Sequence, residues 1–326
     1  MAYVPIELLK CVVFLGYKDH QGKYRVAGSA FWVSRSGPSD IQDVYRPAYL
    51  ITAGHVIDYI KRKSAATDPS VWMRVNTREL QGSWKDVYIG SWKFHPEAAA
   101  DLAVLKIGLE NNLDHAAWSL EKSVNAETLS ENNYTVEHGD EVFFSGLFWL
   151  HKGEVKNVPI VRVGNVAALR DEPVLTKFGP GDAYLIDAHS IGGFSGSPVF
   201  VDTLAAKRER ELSTSPRLGP TRFLLLGLMH GHYHAPDEES EIVVDDGTEK
   251  AKVNTGICIV VPAEKIVEVI QSSFRVEEEE EIKAYRQRKQ SGTIMEVGPD
   301  VGPTPNVTMQ ATQAGVHIPT RSKKQA

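Results

Sequence analysis

Short apolar runs rich in Val, Ile, Phe, Tyr and Trp recur along the first 275 residues, separated by turn-forming stretches. Runs of this length and composition are typical of β-strands. A first set lies at residues 11–17, 24–33, 48–52, 71–76, 84–89 and 102–107, and a second at residues 141–148, 158–169, 183–187, 197–201, 223–229 and 256–261. The pattern predicts two six-stranded, β-rich halves.

Helical periodicity is scarce. A short segment follows His55, and residues 262–270 align Ile266, Val267 and Ile270 on one face after a proline that suits a first helical turn. This second segment is predicted to be a short closing helix.

Three polar stretches are predicted to lie outside the core. Residues 202–221 and 234–252 have the composition of insertion loops. Five consecutive glutamates begin at Glu277, and a mixture of charged residues, Gly, Pro, Thr and Gln follows to the end. Residues 277–326 are therefore predicted to be a tail outside the core, a solvated helix that frays into disorder, with a motif that binds a protein partner as the alternative.

Composition narrows the class of protein. The 326 residues are 42% apolar, enough for a substantial core. The net charge of −6 provides no basic surface for nucleic acid.

No uncharged apolar run approaches the roughly 20 residues that span a bilayer, and no signal-peptide pattern opens the chain, so a cytoplasmic protein without a membrane partner is expected. Cys11 and Cys258 stand in apolar runs and are interpreted as buried thiols.

Three motifs carry candidate chemistry. Ser195 stands among glycines in Gly-Gly-Phe-Ser-Gly-Ser-Pro and runs directly into a strand, so a tight turn can expose its Oγ, and the amides of Gly193 and Ser195 can form an oxyanion hole. His55 ends an apolar run in Thr-Ala-Gly-His and is a candidate base. Asp101 precedes the apolar run Leu-Ala-Val-Leu and is a candidate orienting carboxylate.

In chain order, with His55 first, Asp101 second and Ser195 third, the motifs resemble the chymotrypsin-like serine peptidases, especially the bacterial trypsin-like members. The resemblance implies an all-β fold of two six-stranded antiparallel barrels, residues 1–121 and 132–274, with the active site between them. It also implies the catalytic triad His55, Asp101 and Ser195, a peptide or protein substrate, and no cofactor or metal. A catalytically inactive binding module and a narrow processing protease or esterase remain alternatives.

Two departures from the family concern activation and specificity. Phe194 replaces the acidic residue that pairs with a new N-terminus after zymogen cleavage, so such activation is not expected. His189 replaces the aspartate that gives tryptic specificity. The opposite pocket wall holds His230, Gly231 and His232. Three readings stay open for it: selection of acidic or amide side chains, a metal site that also uses His234, or ordinary wall residues.

Overall fold

The computed structural model describes residues 4–42, 44–65, 68–131, 135–188, 193–203, 222–234, 242–243, 250–251 and 254–291. The predicted loops at 202–221 and 234–252 and the tail beyond residue 291 lie mostly outside these ranges. The described chain is mainly β, with helices α1 (Ile6–Lys10), α2 (Gly54–Lys63), α3 (Ala126–Glu131) and α4 (Ala263–Gln290). In the described part, no helix is both long and apolar enough to cross a membrane.

The first unit is an open sheet. Its strands are β1 (Val12–Lys18), β2 (Tyr24–Ser34), β3 (Ala48–Ala53), β4 (Ser70–Asn76), β5 (Gly82–Tyr88), β6 (Lys93–Phe94), β7 (Leu102–Lys106) and β8 (Trp118–Ser119). The order is β5-β4-β1-β2-β3-β7-β6, antiparallel throughout, and β8 pairs with β2 in parallel. The prediction of a closed six-stranded barrel is wrong for this unit. Closure would need the end strands β5 and β6 to pair with each other, which they do not; β6 has only two residues and offers little edge for such pairing.

The second unit is the predicted six-stranded barrel. It consists of β9 (Glu141–Gly146), β10 (Ile160–Ala168), β13 (Tyr184–Asp187), β14 (Pro198–Asp202), β15 (Phe223–His234) and β18 (Asn254–Pro262). The strands close in the order β10-β13-β18-β15-β14-β9. Two small hairpins lie outside it: β11 (Val174–Thr176) with β12 (Gly179–Gly181), and β16 (Ile242–Val243) with β17 (Lys250–Ala251). Each of the six apolar runs of the second set forms one barrel strand.

Apolar side chains on alternate positions hold the units together. Phe144 and Val199 point into the barrel, whereas their neighbours Phe143 and Phe200 join the apolar cluster of the first sheet and helix α4. Successive residues of a strand face opposite sides, so both barrel faces are buried here. Burying such a side chain contributes roughly 1.5–3 kcal/mol, so these residues stabilise the packing of the barrel against the first sheet and helix α4. Cys11 and Cys258 are buried free thiols, as predicted.

Helix α4 is longer than predicted. It begins after Pro262, as expected, but continues to Gln290. Residues 277–290, the start of the predicted tail, are therefore continuous with the closing helix and contact the first unit. Contacts with the first unit explain the difference: Lys106 pairs with Glu281 at 2.7 Å, and Arg286 pairs with Asp40 at 2.8 Å.

Candidate active site

Helix α2 begins where strand β3 ends, and its first turn carries His55. Ala53, the residue before the helix, has no side chain that could cap it. Asp101 supplies the cap. Its backbone carbonyl accepts the Gly54 N–H at 2.7 Å, and its Oδ1 accepts the His55 N–H at 2.7 Å. These bonds satisfy two N–H groups that a helix N-terminus leaves without partners, so Asp101 fixes the backbone that carries His55.

The second oxygen of the same carboxylate contacts the imidazole. Asp101 Oδ2 forms a close contact with His55 Nδ1, and the Asp101 side chain is only 4% exposed. Asp101 adopts the left-handed conformation, with φ 46° and ψ 48°. Asp and Asn enter that region more readily than most other residues. A carboxylate beside Nδ1 favours the tautomer that carries its proton on Nδ1, in which Nε2 is a hydrogen-bond acceptor.

Ser195 lies on a tight turn just before strand β14. Gly193 has φ +104° and Gly196 has φ +87°. Residues with a side chain rarely adopt these values. A Cβ on Gly196 would also lie 2.1 Å from the Ser29 carbonyl oxygen. Glycine is therefore required at position 196 by both conformation and space.

Backbone donors of this turn divide into two groups. The Gly196 N–H donates to the Met229 carbonyl at 2.9 Å, and the Ser197 N–H donates within the turn at 2.9 Å. The N–H groups of Gly193 and Ser195 donate to no residue in the described ranges. Neither amide is therefore committed to a hydrogen bond within the described part of the chain.

Ser29 connects the first unit to this turn. Its N–H donates to the Ser195 carbonyl at 3.0 Å, and its Oγ donates to the Gly193 carbonyl at 2.7 Å. The same Oγ accepts the Leu147 N–H at 2.8 Å, and Thr52 Oγ1 donates to the Ser29 carbonyl at 2.7 Å. Sequence reasoning missed both hydroxyl residues. Their signal was a Ser or Thr side chain in the buried, mostly apolar part of a strand.

The structure brings His55 and Asp101 into direct contact and links Ser195 to them through His230. The Ser195 hydroxyl donates a long hydrogen bond of 3.3 Å to the His230 carbonyl. The His230 ring lies 5.8 Å from the His55 ring, centroid to centroid. In the described ranges, Ser195 Oγ has no hydrogen bond to His55. The four residues therefore form one cluster in which the serine and the candidate base are not yet joined.

The predicted pocket wall is irregular. Strand β15 has one register shift between Met229 and Gly231 and another between His232 and His234, which interrupt the alternation expected of extended residues 230–234. His230 is buried and His232 is half-buried, whereas a Cβ on Gly231 would meet open space. His189 and the His234 side chain lie outside the described residues. The pocket assignments stay predictions.

Burial is the main influence on the pKa of His230. It lowers the pKa of the imidazole to about 4, although Asp101 acts in the opposite direction; His55 and Lys177 lower it further. His230 is therefore neutral at neutral pH. No three His, Cys, Asp or Glu side chains within the described ranges form a cluster that could hold a metal ion.

Comparison with known proteins identifies structural neighbours only. No family model matches the sequence, and no curated protein matches it. The protease domain of MamO from Magnetospirillum magneticum is 18% identical, with a TM-score of 0.45, over 80% of this chain and 96% of that chain. The Rv3671c protease in its inactive form is 13% identical, with a TM-score of 0.39, over 81% and 88%.

A serine-to-alanine mutant of Rv3671c from M. tuberculosis H37Rv, also in the inactive form, is 14% identical, with a TM-score of 0.40, over 82% of this chain and 89% of that chain. The chain is thus similar in structure to the protease domains of MamO and Rv3671c. All three TM-scores lie below 0.5, so the activity has to be argued from the site itself.

Proposed function

We propose that this protein is a serine endopeptidase with the triad His55, Asp101 and Ser195. The observation that carries the proposal is the carboxylate of Asp101, which caps the His55 backbone with one oxygen and contacts Nδ1 with the other. A buried carboxylate in this position holds the imidazole in the tautomer that leaves Nε2 basic. The available amides of Gly193 and Ser195 add an oxyanion site next to the serine.

In the proposed mechanism His55 Nε2 takes the proton of Ser195 Oγ as the oxygen attacks a peptide carbonyl. The Gly193 and Ser195 amides stabilise the negative oxygen of the tetrahedral intermediate. His55 then protonates the leaving amine, and water hydrolyses the acyl-enzyme by the reverse sequence. The long bond from Ser195 to the His230 carbonyl must break first, and catalytic hydrogen bonds commonly tighten only when substrate binds.

Phe194 supports an enzyme that needs no zymogen cleavage. The side chain is fully buried, and its ring packs edge-on against Phe144 with centroids 5.2 Å apart. An apolar anchor of this kind orders the nucleophile turn without an ion pair to a new N-terminus. We therefore expect full activity in the uncleaved chain.

One observation favours the alternative of an inactive binding module. Ser195 Oγ is bonded to the His230 carbonyl, an arrangement that leaves it unactivated. Labelling with a fluorophosphonate distinguishes the two proposals, because the reagent reacts with an activated serine and not with an ordinary hydroxyl. Labelling of the intact protein, followed by peptide mapping of the adduct, is the test.

Ser197 provides the matched control. It lies two residues from Ser195, and its Oγ is buried. The proposal predicts a stoichiometric adduct on Ser195 in the wild type and in Ser197→Ala, and none in Ser195→Ala. A folded wild type that stays unlabelled would show the triad to be inactive.

Substrate profiling separates an endopeptidase from a narrow processing enzyme or esterase. Cleavage of a peptide library supports the endopeptidase, whereas labelling without peptide cleavage supports the narrower enzyme. A preference for Glu or Gln would support a pocket lined by histidine. A preference for Lys or Arg would contradict it, since that preference requires a carboxylate in the pocket.

A further inference from the structure

Strand β15 contains a β-bulge at His230. Met229 pairs with Val260 and Gly231 pairs with Ile259, so His230 has no partner of its own in the ladder with β18. Bulges commonly redirect a side chain next to a functional site. Met229 stays in the core of the barrel, whereas the His230 side chain faces the cluster formed by His55 and Asp101.

The His230 imidazole is enclosed by the site. It is 4% exposed, and the Phe178 ring packs edge-on against it with centroids 6.0 Å apart. Its Nδ1 lies 3.2 Å from Asp101 Oδ2, the oxygen that also contacts His55 Nδ1. At its present ring orientation Nδ1 has no hydrogen bond to a described residue. Reorientation of the ring would bring an Nδ1–H onto the carboxylate with no change in the backbone.

We propose, on the basis of the proposed function, that His230 is a positioning residue that shares Asp101 with His55. In this arrangement the neutral His230 ring carries its proton on Nδ1 and donates it to Asp101 Oδ2. The donation holds the carboxylate in the orientation that His55 requires. It also gives the buried carboxylate a third donor, besides the His55 backbone N–H and Nδ1–H.

Electrostatic interactions favour the tautomer of His230 that carries its proton on Nδ1. An Nε2–H ring would leave an Nδ1 lone pair, and no donor, beside a carboxylate oxygen 3.2 Å away, which is repulsive. A charged ring is excluded near neutral pH by the lowered pKa of His230. The charged or titratable groups that act on it are Asp101 on the turn before β7, His55 on α2 and Lys177 in the β11–β12 hairpin.

Nitrogen-15 NMR of the histidine rings tests the proposal in the full chain without relying on activity. The spectrum reports which ring nitrogen carries the proton. His230, assigned from its loss in His230→Leu, is expected to be neutral and Nδ1-protonated from pH 8 down to about pH 5. In Asp101→Asn its proton is expected to move to Nε2, the tautomer that an unconstrained ring prefers.

His115 is a matched internal control. It is also a neutral imidazole whose pKa is lowered by burial, and its Nδ1 faces the Lys10 carbonyl at 2.8 Å while Nε2 accepts the Asn76 N–H at 2.7 Å. Its Nδ1-protonated signal should be identical in the wild type and in Asp101→Asn. A His230 signal that is Nε2-protonated, or that titrates near pH 6.5, overturns the proposal.

A kinetic experiment tests the positioning role. His230→Leu is expected to lower kcat at least tenfold with KM changed less than threefold, and His230→Gln, which keeps an N–H donor, is expected to recover part of that loss. Equal kcat in the wild type and a folded His230→Leu overturns the proposal. If the wild type proves inactive, the NMR result still decides whether His230 binds Asp101. Failure of the proposed function is therefore distinguishable from failure of this inference.

Discussion

Asp101 combines a left-handed backbone, a helix cap and an imidazole contact in one residue. Asn can keep the backbone conformation and the cap, but its amide does not hold the His55 Nδ1–H tautomer. We expect Asp101→Asn to fold with a similar melting temperature and to react with a fluorophosphonate about 10³–10⁴-fold more slowly. A loss below tenfold would contradict the role assigned to Asp101.

Gly196 and Gly139 share nearly the same backbone angle, with φ of +87° and +86°. A Cβ on Gly139 meets nothing within 4 Å, whereas one on Gly196 clashes with the Ser29 carbonyl. Gly139→Ala should therefore cost only the conformational strain, about 1–2 kcal/mol, and keep full reactivity. Gly196→Ala should cost more in urea unfolding and abolish labelling. Equal effects of the two substitutions would show that the clash is relieved elsewhere.

Residues with a strong local signal could be predicted from the sequence. The glycines around Ser195 indicated the turn, and Asp101 before a buried strand indicated a carboxylate that meets His55. The direction of the His230 side chain could not be predicted from the sequence. Period-two alternation assumes a regular strand, and the bulge at His230 breaks that regularity. Bulges leave no reliable mark in a single sequence.

At the scale of elements, strand β2 stabilises the turn that carries Ser195 through the hydrogen bonds of Ser29. Ser29→Ala leaves the buried Leu147 N–H and Gly193 carbonyl without their partner. Unsatisfied buried groups cost about 1–3 kcal/mol each. We expect the variant to lose roughly 2–4 kcal/mol of unfolding free energy and at least tenfold in fluorophosphonate labelling rate, because the turn loses its anchor.

Thr128 is the matched control for Ser29. Its buried Oγ1 likewise donates to backbone carbonyls, those of Ser123 and Asn125, and accepts the backbone N–H of Asn125, in the segment between the units. Thr128→Val should lose similar stability and keep the labelling rate. If both variants lose reactivity in proportion to stability, Ser29 has only a structural role.

The positions of the main strands could be predicted from the sequence. Most of these strands are buried on both faces, so each forms a continuous apolar run. The two-residue strands β6 and β8 carry too few residues for such a signal. Closure of the first sheet failed for the same reason, since it depends on pairing between β5 and β6. Existence of the main strands was predictable, and their edge pairing was not.

At the scale of the whole molecule, helix α4 joins the barrel to the first sheet. Glu278 lies on this helix with Arg35 Nη2 2.7 Å from its carboxylate, yet burial raises its pKa to about 7. The sequence suggested a solvated tail here because charge composition does not show which glutamate is covered. Partners distant in sequence, such as Lys106 and Asp40, order this part of the helix.

The raised pKa of Glu278 makes stability depend on pH. Between pH 4.5 and 7 the folded state binds more protons than the unfolded state, so this group's contribution is complete below about pH 4.5 and is lost as pH rises through 7. Glu278→Gln should reduce the change in unfolding free energy between pH 4.5 and 7. It should also stabilise the protein at pH 8 by roughly 1–2 kcal/mol. Chemical unfolding of the wild type and the variant from pH 4.5 to pH 8 measures this difference in unfolding free energy.

Glu279 is the control, because its ion pair with Arg275 is largely exposed. Glu279→Gln should change the unfolding free energy by less than about 0.5 kcal/mol and leave its pH dependence unchanged. A Glu278→Gln protein that is less stable than the wild type at pH 8 would mean that the Arg35 pair outweighs the cost of burying the charge.

Burst kinetics with an activated ester such as 4-nitrophenyl acetate test the central claim most directly, because they measure an acyl-enzyme on the serine whatever the peptide specificity. The account predicts a rapid release of about one equivalent of nitrophenol per chain, followed by slower turnover, in the wild type and in Ser197→Ala, and no burst in Ser195→Ala. Absence of a burst from the folded wild type, or an equal burst from Ser195→Ala, would contradict it.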